Sequence, residues 1–271
     1  MINESLMGKV KPWVEQNLGV SLSDMDEEKI PIIPINNEEV NPLRGIKIGN
    51  QAVIACRSEW IEKLRPIVDG LNLDLLFSMF GAYELARVTM LDNVGIWGPS
   101  WYLFADEPEL QTVDTDRVVK LEPSQLKDLD YRFFWHCQPD SLAGFAIYDE
   151  KKLVALATVW DDGEPMWEIG MDVVQNSKLK GLGRSVVGAA AKWIVQNGRT
   201  ALASTAQFNV PSARTLRSTG LTYGFASLHG TVGGMNLAPQ PLGAPFPGAE
   251  TTNLYPRWAM NHEIVPNKEN P

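Results

Sequence analysis

The chain has 271 residues, 44% hydrophobic and 21% charged, with 33 acidic side chains against 24 basic ones and a net charge of −9. This is the composition of a globular protein long enough for two cores, and its acidity does not suit a nucleic-acid-coating role. Two widely spaced cysteines (Cys56, Cys137) and three scattered histidines (His136, His229, His262) match neither a disulfide framework nor a metal-ligand spacing.

The opening residues MINESLMGKVKPWVEQ lack the apolar core of a signal peptide. The most apolar stretch, 186–195, is interrupted by Lys192 and is too short to cross a bilayer. The expectation is therefore a cytoplasmic protein without disulfides or metal. In chain order, residues 1–20 read as an amphipathic helix, followed by an acidic linker and a Pro-rich extended piece through Leu43. Residues 46–57 read as two strands around Gly49-Asn50, and Ser58 as the cap of a helix to about Asp69. Residues 71–91 are helical in pattern, and 94–104 read as a second hairpin turning at Gly98-Pro99. Trp97, Trp101 and Tyr102 suit a core or an interface better than a binding cage. The polar stretch 105–116 marks a boundary. The division expected is 1–112 as a smaller α+β domain on the acceptor side or structural, 113–235 as a second domain, and 236–271 as a Pro/Gly-rich extension.

Beyond the boundary come a strand (118–121), a helix capped by Ser124 and running to about Phe134, and two strands (143–148, 153–160). A further apolar strand spans 167–174. The polar turn 175–180 and the pair Gly181/Gly183 follow, and then a helix begins at Leu182, whose apolar residues fall four apart (Leu182, Val186, Ala190, Ile194). Asn197-Gly198 closes that helix. A strand (200–207), a short helix (209–218) closed at Gly220, and a last strand (223–228) complete the pattern.

The strand–glycine turn–helix unit carries the chemistry. The first N–H groups of a helix have no internal partner and attract anions, and glycines there let a phosphate approach the backbone. A turn that only needs a positive φ is the alternative reading. The dinucleotide fingerprint fails because Val186 stands where its third glycine belongs, and the P-loop fails because Ala189 and Ala190 follow Gly188. No acidic residue lies between Val173 and Ala249, whereas Lys178, Lys180, Arg184, Lys192, Arg199, Arg214 and Arg217 do. Residues 1–115 hold 9 basic and 18 acidic groups; residues 116–271 hold 15 of each. A small polyanionic ligand is the inference.

The order β-α-β-β-β-α-β-α-β from Val118, with Lys178-x-x-Gly181-x-Gly183 before the helix and Asn209-Val-Pro-Ser212 followed by Leu216 and Gly220-Leu221, resembles the GCN5-related N-acetyltransferase (GNAT) superfamily. The resemblance covers about residues 116–230. The part before it is similar, weakly, to the N-terminal halves of antibiotic-resistance-type and glycine-acyltransferase-type members. What the resemblance implies is an α+β fold with a mixed, mostly antiparallel sheet flanked by helices, preceded by the smaller α+β domain. It also implies acetyl-CoA as co-substrate, and N-acetylation of a primary amine on a small molecule. Its pyrophosphate would meet the amides of Leu179, Lys180, Gly181, Leu182, Gly183 and Arg184, with Lys178 or Lys180 as point charges and Ser185 in the same turn. Its pantetheine would run beside Met171, Asp172, Val173 and Val174, and Asn209, with Ser212 in its motif, would bond the cofactor while capping its helix.

For the chemistry, Glu168 and Asp172, four apart on one side of their strand, are the candidate bases. Many relatives carry a tyrosine acid where Leu216 stands, so Tyr223, His229 or Ser204 would substitute, or the thiolate would leave unaided; Tyr223 is the candidate acid. The expected partners are a small amine, favoured as a cation by the acidic N-terminal part, and no nucleic acid or membrane; a homodimer is allowed. A non-catalytic acyl-CoA-binding module is the alternative, and aminoacyl transfer to cell-wall peptides a third reading that wants more basic charge.

Overall fold

The structure is a computed structural model, and it describes residues 2–23, 25, 26, 28–35, 41–174 and 179–235. The expected C-terminal extension lies outside the described residues. The chain opens with α1 (Glu4–Leu18), whose Asn3 cap accepts from the Leu6 N–H and whose end is set by Gly19 in the left-handed region. Strands β1 (Ile32–Pro34), β2 (Leu43–Ile48) and β3 (Gln51–Cys56) follow, then α2 (Ile61–Gly70), α3 (Leu73–Leu76), α4 (Met79–Thr89) and β4 (Val94–Ala105). The second part comprises β5 (Val119–Leu121), α5 (Pro123–Leu126), β6 (Ala143–Asp149), β7 (Lys152–Asp161), β8 (Met166–Val173), α6 (Leu182–Gln196), β9 (Thr200–Ala206), α7 (Val210–Ser218) and β10 (Thr222–Val232).

All ten strands form one sheet in the order β1-β3-β2-β10-β4-β9-β8-β7-β6-β5. Among the described residues the β1–β3 and β8–β9 pairs alone are parallel. The sheet is α+β and mostly antiparallel, as expected. Strand β4 lies between β10 and β9, so residues 1–112 contribute an interior strand to the sheet of residues 113–235. The polar connection out of β4 packs across the second part: the Gln111 N–H donates to the Thr219 carbonyl, and Val113 fills the space beside Gly188.

Side-chain alternation gives the sheet two faces. One packs α1, through Leu6, Val10, Trp13 and Val14, against Phe104, Met166, Leu202 and Phe225. The same face carries the α5 segment, through Leu126, Phe134 and Cys137, over Leu121, Ala146 and Leu156. The opposite face packs α2–α4 over β2, β3, β4 and β10, and α6 over β6–β9. Among the described residues no helix is long and apolar enough to cross a membrane, and no group of His, Cys, Asp and Glu is arranged to hold a metal.

Three expectations change. Residues 94–104 are one strand and not a hairpin, because β10 pairs with β4 on both sides of Gly98-Pro99, which makes an irregularity between Trp97 and Ser100. The helix from Ser124 is a single turn capped by a Glu122–Gln125 capping box. Asp130 then accepts from the Arg132 N–H and starts a separate 3₁₀ turn, Tyr131–Phe133. Ser58 opens a 3₁₀ turn before α2 and does not cap it.

Candidate active site

Strands β8 and β9 are paired at Met166–Thr200, Trp167–Ala201 and Glu168–Leu202. Among the described residues no further rung joins them, although β8 continues to Val173 and β9 to Ala206. The strands therefore splay, and from Ile169 onward one edge of β8 offers backbone donors and acceptors, while its other edge stays paired to β7 through Val173.

At the mouth of this wedge stands the N-terminus of α6. Gly181 is its cap at φ 74°, with no capping side chain, and the Ser185 N–H makes the first intrahelical bond, to the Gly181 carbonyl at 3.0 Å. The amides of Leu182, Gly183 and Arg184 precede that bond and have no acceptor among the described residues. The left-handed conformation falls on Gly181, not on Gly183. Gly183 has a different reason to be small: a Cβ there would stand 3.3 Å from Thr215 Cγ2 and 3.5 Å from both Met171 Cε and Val173 Cγ2. Thus α6, α7 and β8 meet at this residue.

The turn is braced by the preceding connection. The Arg117 guanidinium donates to the Lys180 carbonyl (3.3 Å), and that of Arg184 donates to the Thr112 carbonyl (3.4 Å). Lys180 is exposed and Leu179 half-buried; Lys178 lies outside the described residues. Asn209 caps α7, its Oδ1 accepting from the Ser212 N–H at 3.2 Å. Its side-chain NH₂ is not used by that bond.

The face opposite α6 carries the titratable groups. Glu168 sits at the last paired rung of the wedge, and its Oε1 accepts from the Ser204 hydroxyl at 2.9 Å. Burial, and secondarily the charge of Asp162, push the Glu168 carboxyl up to about 7, against the pull of the Ser204 bond. Tyr102 on β4 lies directly opposite Ser204. Its phenol is raised by burial, lowered by the Arg44 charge and raised by that of Glu168. The Asp172 carboxylate is on the same face but is held by His136: Oδ2 accepts the backbone N–H at 2.8 Å, and Oδ1 meets ring Nδ1 at 2.5 Å.

Tyr223 is not brought to these residues. It lies on the other face, beside Trp101 at a centroid distance of 6.4 Å, where both line a cavity of about 660 Å³ with Ala213 and Arg217 of α7. Burial pushes its phenol up to about 12. Leu216 is buried in the α6 core. Burial and the Arg44 charge push the His229 imidazole down to about 4, in a cluster with Arg44 across β2 and β10. Of the three substitutes considered for the absent tyrosine, only Ser204 touches Glu168. Tyr102, which reads in sequence as a core or interface aromatic, and His136, one of three scattered histidines, both reach this face through tertiary contacts.

Residues 107–221 match the model of the acetyltransferase (GNAT) family. The fold is similar to a putative GNAT-family acetyltransferase from Novosphingobium aromaticivorans, at 13% identity and a TM-score of 0.42, over 51% of this chain and 66% of that one. It is also similar to a GNAT-family acetyltransferase from Colwellia psychrerythraea (16%, 0.41, 53% and 60%). A third likeness is to a GCN5-related N-acetyltransferase from Kribbella flavida (17%, 0.40, 55% and 64%). The chain spans less than two thirds of the length of each. None of the curated proteins matches it in sequence.

Proposed function

We propose that the protein, whose residues 107–221 match the model of the acetyltransferase (GNAT) family, transfers an acetyl group from acetyl-CoA directly to a primary amine of a small molecule. The observation that carries this reading is the wedge between β8 and β9, with a proton-accepting carboxylate at its apex and an uncapped helix N-terminus at its mouth. The unpaired edge of β8 suits the amide-bearing pantetheine, since an extended chain with alternating donors and acceptors can add to a strand. The amides of Leu182, Gly183 and Arg184, with Lys180 beside them, suit a pyrophosphate. The crowding at Gly183 fits the same assignment, because a side chain there would close the approach between β8 and α7.

Acetyl-CoA supplies an activated thioester, and the chain has to produce a neutral amine beside it. Glu168, with its proton affinity raised to about 7, can accept an ammonium proton near neutral pH. Ser204 positions it. Residues 1–112 serve the acceptor side in this reading: β4 brings Tyr102 to the Glu168 face, and α1 builds the floor through Trp13, whose indole N–H donates to the Asp162 carbonyl at 2.7 Å.

The second reading, a module that holds acyl-CoA without turnover, is favoured by one observation: Leu216 is packed in the core where many relatives have a tyrosine acid. Release of free thiol from acetyl-CoA across a panel of primary amines separates the two. Amine-dependent release supports transfer; tight CoA binding without release with any amine supports the module.

A further inference from the structure

The loop between α5 and β6 ends on β8, and His136 is its point of contact. The His136 carbonyl lies directly over Gly170, where an added Cβ would stand 1.9 Å from it. Two residues further along the same face, Asp172 grips the His136 backbone N–H and ring Nδ1 at once. The imidazole is thus fixed above Gly170–Asp172, with Nδ1 engaged and Nε2 without a partner among the described residues. The Asp172 side chain is 11% exposed and that of His136 40%. The Trp135 ring packs on the imidazole at a centroid distance of 3.5 Å and is itself exposed. A carboxylate that holds one ring nitrogen and leaves the other to solvent is the arrangement that orients an imidazole for proton transfer.

Its place along β8 gives it a task. Glu168 marks the apex of the wedge, and the rise of a strand puts Gly170 roughly 7 Å and Asp172 roughly 13 Å further toward the mouth. On the reading above, the acetyl carbon lies at the Glu168 end and the pantetheine beside Met171–Val174. The sulfur then falls alongside the stretch that His136 covers. We propose that His136 is the catalytic acid that protonates the departing sulfur, and that Asp172 is its positioning residue. As the amine nitrogen bonds to the acetyl carbon, the C–S bond breaks and its electron pair goes to sulfur. His136 gives sulfur the proton from Nε2, and Glu168 takes a proton from the amine. The buried Leu216 then leaves no gap in the chemistry, because the acid comes from the opposite face of the sheet.

The titratable groups set by this contact are Asp172 on β8 and, next along the loop, the buried Cys137 with Tyr131 and Asp140; β7 presents Thr158 and Trp160. The proposal rests on acetyl transfer, so its test has one arm independent of turnover. In the full chain labelled with ¹⁵N-histidine, CoA should shift the His136 ring resonances, assigned through His136→Gln, while desulfo-CoA should not. In kinetics, His136→Gln should lower kcat about 10²-fold or more with unchanged CoA affinity. The low-pH rise belongs to Glu168 and should remain. Asp172→Asn should give a partial loss of the same kind. Ring resonances that move equally with both ligands, or a His136→Gln enzyme keeping kcat, overturn the proposal. A protein that shifts its His136 resonances with CoA alone yet acetylates no amine keeps His136 beside the sulfur and sinks the transfer reading instead.

Discussion

Ser204 on β9 donates its hydroxyl hydrogen to Glu168 Oε1 on β8 at 2.9 Å, across the rung where the two parallel strands part. The bond ties the base of the proposed reaction to the strand on the far side of the wedge. It also stabilises the carboxylate form, and so works against the burial that raises its proton affinity. Ser204→Ala removes that stabilisation. The expected result is a low-pH limb of kcat/KM displaced to higher pH. A stability loss of about 1 kcal/mol, the usual net worth of one hydrogen bond, should accompany it. Rate profiles over pH, beside denaturant melts, measure both.

In the proposed reaction Glu168 links activity to stability. Its carboxyl moves from an ordinary 4.5 in the unfolded chain to about 7 in the fold. Below about pH 4.5 both states hold the proton and the group costs the fold nothing. Between 4.5 and 7 only the folded chain keeps it, so stability falls as pH rises, and above 7 the penalty is complete. Glu168→Gln should therefore melt above the parent at about pH 8 and with it at about pH 4, while kcat drops about 10²–10⁴-fold. Calorimetric melts at the two pH values give the sign directly.

Gly183→Asp tests the proposed anion site. Since φ at 183 is not positive, the backbone is unstrained, and the new Cβ needs only a shift of a few tenths of an ångström from Thr215. An acidic group in the first helical turn gains roughly 0.3–1 kcal/mol from the helix dipole. Melting should stay close to the parent's, while CoA affinity falls at least about tenfold, or about 1.4 kcal/mol. Titration calorimetry with CoA, checked by circular dichroism, decides it.

Restoring a tyrosine at Leu216 should not restore an acid. Leu216 is 2% exposed, packed among Val186, Ala190 and Leu221. Overpacking such a site costs typically 1–3 kcal/mol. Leu216→Tyr is expected to lower Tm and leave kcat no higher than the parent's; a rise in kcat would show that the α7 face can deliver the proton.

A chain beginning near Val113 should not fold by itself. It lacks β4, and with it both the partner of β9 from Ser100 to Ala105 and the partner of β10 from Val94 to Phe104. Two long unpaired edges would remain in the middle of the sheet. The expected product is insoluble or unfolded, and adding residues 1–112 as a separate chain should recover soluble protein with CoA binding.

How much of this was legible in the sequence follows from the range of the forces involved. The strand, glycine turn and helix from Trp167 to Asn197 are fixed by local periodicity, by the φ demanded at Gly181 and by the stop at Gly198, all of which act within a few residues. Asn209 as the cap of α7, and Glu168 and Asp172 on one face, follow from the same short-range rules. The fate of Gly98-Pro99 does not: as a dipeptide it spells a turn, and only β10, pairing on both sides of it, keeps β4 a single strand. Nor does sequence say that β4 is inserted between β9 and β10, since strand order is settled by which apolar faces must be covered together. That insertion sets Tyr102 opposite Ser204, and the α5 loop sets His136 on Asp172, across 102 and 36 residues of chain respectively. The proton affinity of Glu168 is likewise a tertiary property. The carboxyl is the same group in any context, and burial beneath residues far along the chain is what moves it.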